Sequence, residues 1–260
     1  MILEEKYDPL KLYFGDDYKI TPEITIHQPK IGEIMEYGES DYFETIYLLC
    51  GIPSDYKSFL LDYFNIDYML FSDFNFFILM TRNMTPDQTG ILFGENLDLS
   101  RMKVVNEDPL YLEDPETGIV IDDFLYSRMI GYIRQMHGIV PKVERAANAE
   151  TKEVLLMEDR MKRQKKQPYS SVLLPLVSGL VNNADFKYDI QGLRNIGIYA
   201  FFDSVNRINA LNTSRAVLNG MYSGMIDMSK NPGLKKQIDW LRDLSSEKVA
   251  SKSNVTVTSS

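Results

Sequence analysis

With one cysteine and two histidines in 260 residues, the chain has little of the side-chain chemistry on which metal sites and nucleophilic enzymes depend. A single Cys50 rules out an intrachain disulfide, and its place at the end of the apolar run TIYLLC makes it a small buried hydrophobe. Structural zinc needs several Cys and His ligands at close, fixed spacing, but His27 and His137 lie 110 positions apart. No Gly-Lys-Ser/Thr phosphate loop and no Gly-x-Gly-x-x-Gly turn occurs, so neither nucleotide fingerprint is present. No Gly-x-Ser-x-Gly elbow surrounds a serine either. Long apolar runs are also missing. The longest, VLLPLVSGLV (172–181), is broken by Pro175, Ser178 and Gly179, whereas a membrane span takes roughly 18 or more residues. The opening MILEEKYDPL turns acidic by its fourth position, unlike a signal peptide, so the expected location is the cytoplasm, with no membrane partner.

What the chain does have is core-forming material and a divided charge. Hydrophobic residues make up 44% and aromatics 12%, with 13 methionines. The net charge of −9 hides an asymmetry: residues 1–125 hold 8 Lys and Arg against 25 Asp and Glu, and the remainder 20 against 12. Three physical readings follow. The halves attract one another within the fold, copies associate head to tail, or each half meets a differently charged partner.

Patterning predicts a mainly α protein with a small β part, a bundle-like helical core with short β hairpins near the N-terminus and in mid-chain. LKLYF and ITIH, in residues 10–27, read as short extended pieces. After Pro29, KIGEIMEYG reads as a short helix closed by Gly38. Ser40, Ser54 and Ser72 are the expected N-caps of the next three helices. The second of these carries the stripe Phe59, Leu60, Tyr63 and Phe64. From 84 to 121 turn signals separate short strand-like runs, which predicts a β-rich insert. Asp122 or Asp123 then starts a helix whose Leu125, Met129, Tyr132, Ile133 and Met136 share one face until Gly138. VERAANAETK (143–152) reads as a polar linker, TKEVLLMEDRMKRQKKQ as a polar helix, and Ser170 or Ser171 as the start of an apolar one. A long helix with Ile198, Phe201, Phe202, Val205, Ile208 and Leu211 on one face follows, then a last helix starting at Pro232. The expected organisation is an acidic α+β domain over 1–142, a basic helical domain over 143–244, and a disordered tail over 245–260.

Few residues offer chemistry. His27 is expected to end a strand and hydrogen-bond locally. His137 sits at a helix C-terminus, where partial charge complementarity with the helix explains it better than catalysis. No cofactor and no metal ligand set is expected. The basic run 159–167, with Arg160, Lys162, Arg163, Lys165 and Lys166, could neutralise several phosphates, but it lacks interleaved aromatics for base stacking. A metal-dependent nuclease pairing Asp122-Asp123 with Glu150-Thr151-Lys152 is a further alternative. YMLFSDFNFFILM (68–80) is the candidate protein-contact segment through Phe71, Phe74, Phe76, Phe77 and Met80, and the same density of apolar residues also suits the protein's own core.

Two stretches carry a resemblance: TPEITIHQPKIGEIMEYGESDYFETIYLLCGIPSD, and SVLLPLVSGLVNNADFKYDIQGLRNIGIYAFFDSVNRI. Together they resemble tail morphogenesis proteins, including tail assembly chaperones, of double-stranded DNA phages and prophages of Firmicutes. There an extended segment and a proline precede a short helix of the IGEI type, and helices rich in Leu and aromatics follow. The resemblance implies a non-enzymatic tail assembly protein, chaperone or structural component. A phage tail or tape measure protein would be its partner, and a homo-oligomer remains open. Nucleic-acid binding through the basic run and metal-dependent cleavage stand as alternatives.

Overall fold

The computed structural model describes residues 8–165, 168–229 and 231–244. Lys166 of the basic run and the 245–260 tail lie outside them. Among the described residues the chain forms α1 (Pro9–Phe14), β1 (Tyr18–Lys19), β2 (Thr25–Ile26), α2 (Ile31–Tyr37), α3 (Glu39–Cys50), α4 (Lys57–Phe64), α5 (Asp73–Thr81) and α6 (Pro86–Phe93). A three-stranded sheet, β3 (Lys103–Val105), β4 (Tyr111–Glu113) and β5 (Val120–Asp122), comes next. The chain continues through α7 (Asp123–Met136), α8 (Ala149–Gln164), α9 (Leu173–Val181), α10 (Ile190–Arg194), α11 (Ile198–Tyr222) and α12 (Lys235–Ile238). The fold is therefore mainly α with two small antiparallel sheets, β1-β2 and β3-β4-β5.

Several boundaries follow directly from local chemistry. Ser72 accepts a hydrogen bond from the Asn75 N–H at the start of α5, and Asp122 from the Leu125 N–H at the start of α7. The Ser171 hydroxyl accepts from the Leu174 N–H where α9 begins. Others differ from expectation. LKLYF is the helix α1, because Asp8 caps it and Pro9 pre-sets its first turn. Residues 86–93 are the helix α6 rather than β structure: Pro86 opens it, and Thr85 and Gln88 form a capping box. The mid-chain sheet occupies only 103–122, with Leu112 opposite both Val104 and Ile121. Helix α3 starts directly after Gly38, so Ser40 lies inside it. The expected linker is helical from Ala149, where Asn148 accepts from the Thr151 N–H.

One buried cluster draws on both halves of the chain. Tyr42, Ile46, Phe77, Ile121, Met129 and Ile133 meet Leu173, Leu180, Leu193, Ile198 and Phe201 within it. The halves are also joined by backbone: Ile31 N–H donates to Ile196 O at 3.0 Å, and Ile198 N–H to Pro29 O at 2.9 Å. A Cβ at Gly197 would meet the carboxamide of the buried Gln28 at this crossing, so a larger residue there would have to displace that side chain. A smaller cluster of Leu60, Tyr68 and Phe76 sits under α4.

Candidate functional site

Two places merit a close reading, a cleft around His27 and the face formed by α4 and α8. His27 directly follows β2, and its backbone N–H donates to Leu92 O of α6 at 2.7 Å. Its imidazole bridges two carboxylates, Nδ1 to Asp17 Oδ1 at 2.7 Å and Nε2 to Glu33 Oε2 at 3.1 Å. The same Glu33 oxygen accepts the Lys30 N–H at 2.7 Å, completing the N-terminal turn of α2. Burial disfavours the charged ring, but the hydrogen bonds it donates to Glu33 and Asp17 outweigh this and raise the His27 pKa above its ordinary value. Around the ring is a cleft of about 500 Å³ lined by Asp17, Glu33, Glu36, Tyr37 and residues 90–94.

The geometry limits what this histidine can do. Both ring nitrogens are engaged, and the two carboxylates sit on opposite sides of the ring rather than converging on a common point. A general base or metal ligand needs a free nitrogen lone pair. In this arrangement the ring instead ties the residue before β1, Asp17, and the end of β2 to the first turn of α2. Among the described residues no group of three or more His, Cys, Asp or Glu side chains is placed to hold a metal ion. Lys152 of the Glu150-Thr151-Lys152 triplet lies on the helix α8 and pairs with Asp67 at 2.6 Å. Asp122 is engaged in capping α7.

His137 corrects an expectation. It is buried, and burial pushes its pKa down to about 4, so the ring is neutral rather than a cation complementing the end of α7. Its Nδ1 meets Ile133 O at 2.7 Å and its Nε2 meets the Tyr42 hydroxyl at 2.5 Å. With Nδ1 donating to the carbonyl, Nε2 is left to accept from Tyr42. Cys50 is also buried, and burial pushes its thiol up to about 12.

Within the expected contact segment 68–80, the side chains of Phe71, Phe74, Phe76, Phe77 and Met80 do not form an outer face. Phe74 and Phe77 pack against Tyr126 with ring centroids 5.3 and 5.0 Å apart. Phe76 is completely buried beneath α4, and Phe71 and Met80 are half-buried against the same small cluster. A short helix whose hydrophobic residues fall on all sides must bury most of them, and α5 does.

The basic run is divided by α4. Helix α8 lies antiparallel to α4, with Lys152 reaching Asp67, Arg160 reaching Asp62, and Asp159 accepting from both the N–H and the hydroxyl of Ser58 at 2.9 and 2.6 Å. Arg160 grips Asp62 through Nε and a terminal nitrogen. Arg163 donates to the Ser58 hydroxyl at 3.0 Å and lies 5.4 Å from the ring centroids of Phe59 and Tyr63. Only Lys162 and Lys165 of the described run project freely to solvent. These contacts match the reading in which the two charged halves attract one another within one fold.

Sequence reasoning reached the surface that results only in part: Met69 and Leu70 lie in the contact segment 68–80, whereas the sequence places Tyr63 and Phe64 only in the α4 stripe. In the expected α4 stripe only Leu60 is completely buried; Tyr63 is 69% and Phe64 42% exposed. In the turn that follows, Met69 and Leu70 are 39% and 86% exposed. The only sequence signal was the shortness of the segment. Asn65, at φ +54°, closes α4 one residue after Phe64 and leaves its last turn overhanging. No helix among the described residues is long and apolar enough to cross a membrane. No family model, no curated protein and no solved structure matches the chain.

Proposed function

We propose that this chain works by protein–protein contact, without covalent chemistry, in the tail assembly of a phage or prophage. The observation that carries the contact reading is the overhang at the end of α4, where Tyr63, Phe64, Met69 and Leu70 present aromatic and flexible apolar side chains together in sequence. Exposed apolar groups of this size on a well-packed chain mark interaction sites, and Tyr and Met suit surfaces that adapt to a partner. An amphipathic helix of a tail or tape measure protein is the kind of partner such a surface fits. The assignment to tail assembly is supported by the resemblance in residues 20–82 and 170–225 alone. Binding of nucleic acid is less favoured, because Arg160 and Arg163 are committed to Asp62, Ser58 and two aromatic rings.

Co-expression of the tagged chain with the tape measure protein of the same genome tests this. The two should co-purify, and Tyr63→Ser combined with Leu70→Ser should reduce capture by roughly tenfold or more, as loss of a central apolar anchor does. Both side chains are exposed, and Tyr63 also faces Arg163 and Phe59, so the variant should lose no more than about 1 kcal/mol of stability and stay folded in the capture assay. Failure of the parent to capture the tape measure protein, or undiminished capture by the variant, overturns the reading.

A further inference from the structure

Helix α8 is attached to the rest of the chain mostly by polar groups, and Leu156 is its one buried side chain. Its outer face carries three large apolar residues, Val154, Met157 and Met161, exposed by 56%, 56% and 50%. Their spacings of three and four place them along a single line on the helix. A 16-residue helix that buries one residue against its own chain and turns three outward has its apolar seam on the side away from the core.

We propose that this seam pairs with the α8 seam of a second copy, antiparallel, to form a symmetric dimer. The charges beside the seam choose both the partner and the direction. Glu150, Glu153 and Glu158 precede Lys162 and Lys165, all five are exposed, and no ion pair among the described residues engages them. A helix acidic in its first part and basic in its last is complementary to itself when reversed, and the helix dipoles favour the same arrangement. Parallel pairing would set like charges against each other. Residues 158, 162 and 165 run along one flank of the stripe, by the four- and three-residue rule. With Met157 facing Met161 of the second copy, Glu158 lies half a turn from the other copy's Lys162, with its Lys165 about one turn further along the same flank, twice over by symmetry. A single pair of helices is a small interface, so the dimer belongs to the concentration-dependent class. The seam is separate from the α4 overhang, and the dimer does not depend on the tail assembly reading.

Sedimentation equilibrium of the full chain at low ionic strength, over a concentration series, tests the proposal. The parent should pass from monomer to dimer as concentration rises and shift back toward monomer near 1 M salt, where the Debye length is about 3 Å. Glu158→Lys in one variant, and Lys162→Glu with Lys165→Glu in another, should each weaken the dimer by roughly tenfold or more through like-charge contact. Mixed one to one, the two variants should recover a heterodimer of parental strength, which misfolded chains would not do. A parent that stays monomeric throughout, charge-reversed variants that dimerise as the parent does, or a mixture that fails to recover each overturns the proposal. Loss of the dimer with tape measure capture intact, or the reverse, separates this surface from the α4 overhang.

Discussion

Helices α7 and α8 are nearly equal in length, 14 and 16 residues, and begin alike, with Asp122 and Asn148 each accepting the N–H three residues on. They are held in opposite ways. Helix α7 buries Tyr126, Met129, Ile130, Tyr132, Ile133 and Met136, whereas α8 buries only Leu156 and is fixed by Lys152, Asp159, Arg160 and Arg163. Capping decides where a helix starts and says nothing about what attaches it. Apolar burial is non-directional and is not screened by salt, while polar attachment depends on a few directional bonds that salt weakens when they are exposed.

The comparison can be tested at both helices. The largest expected effect is at α7, where Ile133→Ala should cost about 2–5 kcal/mol in urea unfolding, because a completely buried side chain leaves a cavity in the main cluster. Acid acts on the same helix. The His137 pKa is held down at about 4 in the fold against an ordinary value of 6.5. Between those values the unfolded chain binds a proton that the native chain does not. Stability should therefore fall as pH drops from 6.5 toward 4, by up to about 3 kcal/mol, and level off below. His137→Gln should flatten that part of the pH profile. His27 works with the opposite sign: its raised pKa gives stability that is complete below 6.5 and is lost as pH rises through the folded value.

At α8 the effects should be smaller. Asp159→Ala removes the acceptor shared by the Ser58 N–H and hydroxyl, and should cost about 1–3 kcal/mol as these buried donors lose their partner. The smallest change is expected from Arg160→Gln, whose exposed pair with Asp62 should add little to stability at low salt and nothing measurable at high salt. An Arg160→Gln loss equal to that of Ile133→Ala would refute the division between the two helices.

The parts of the fold legible in the sequence were those controlled within one turn of chain. Ser72, Asp122 and Ser171 sit where a short polar side chain can reach the N–H three residues on, so their helices are readable. Two local signals were passed over, Asp8-Pro9 at α1 and Thr85-Pro86 with Gln88 at α6, and reading also failed where the partner lay far away. Ser54 looked like the cap of α4, but its hydroxyl exchanges hydrogen bonds with the Glu144 backbone, and Asp159 fills the capping role from 101 positions along the chain. Glu39 likewise accepts from the Leu173 N–H at the start of α9 at 2.7 Å. The two candidate surfaces were harder still. Tyr63 and Phe64 share the apolar character of Leu60, and nothing local tells which of them the core will cover.

By itself the sequence determined that this chain would be mainly helical, where α5, α7 and α9 begin, and which metal and nucleotide motifs it lacks, because each depends on residues close together in the chain. The tertiary structure alone decided that the acidic and basic halves share one core, that Arg160 and Arg163 are occupied by α4 while Lys162 and Lys165 remain free, and that the α4 overhang and the α8 seam face outward. Burial and ion pairing are relations between distant positions, and they acquire definite values only when the chain has closed on itself.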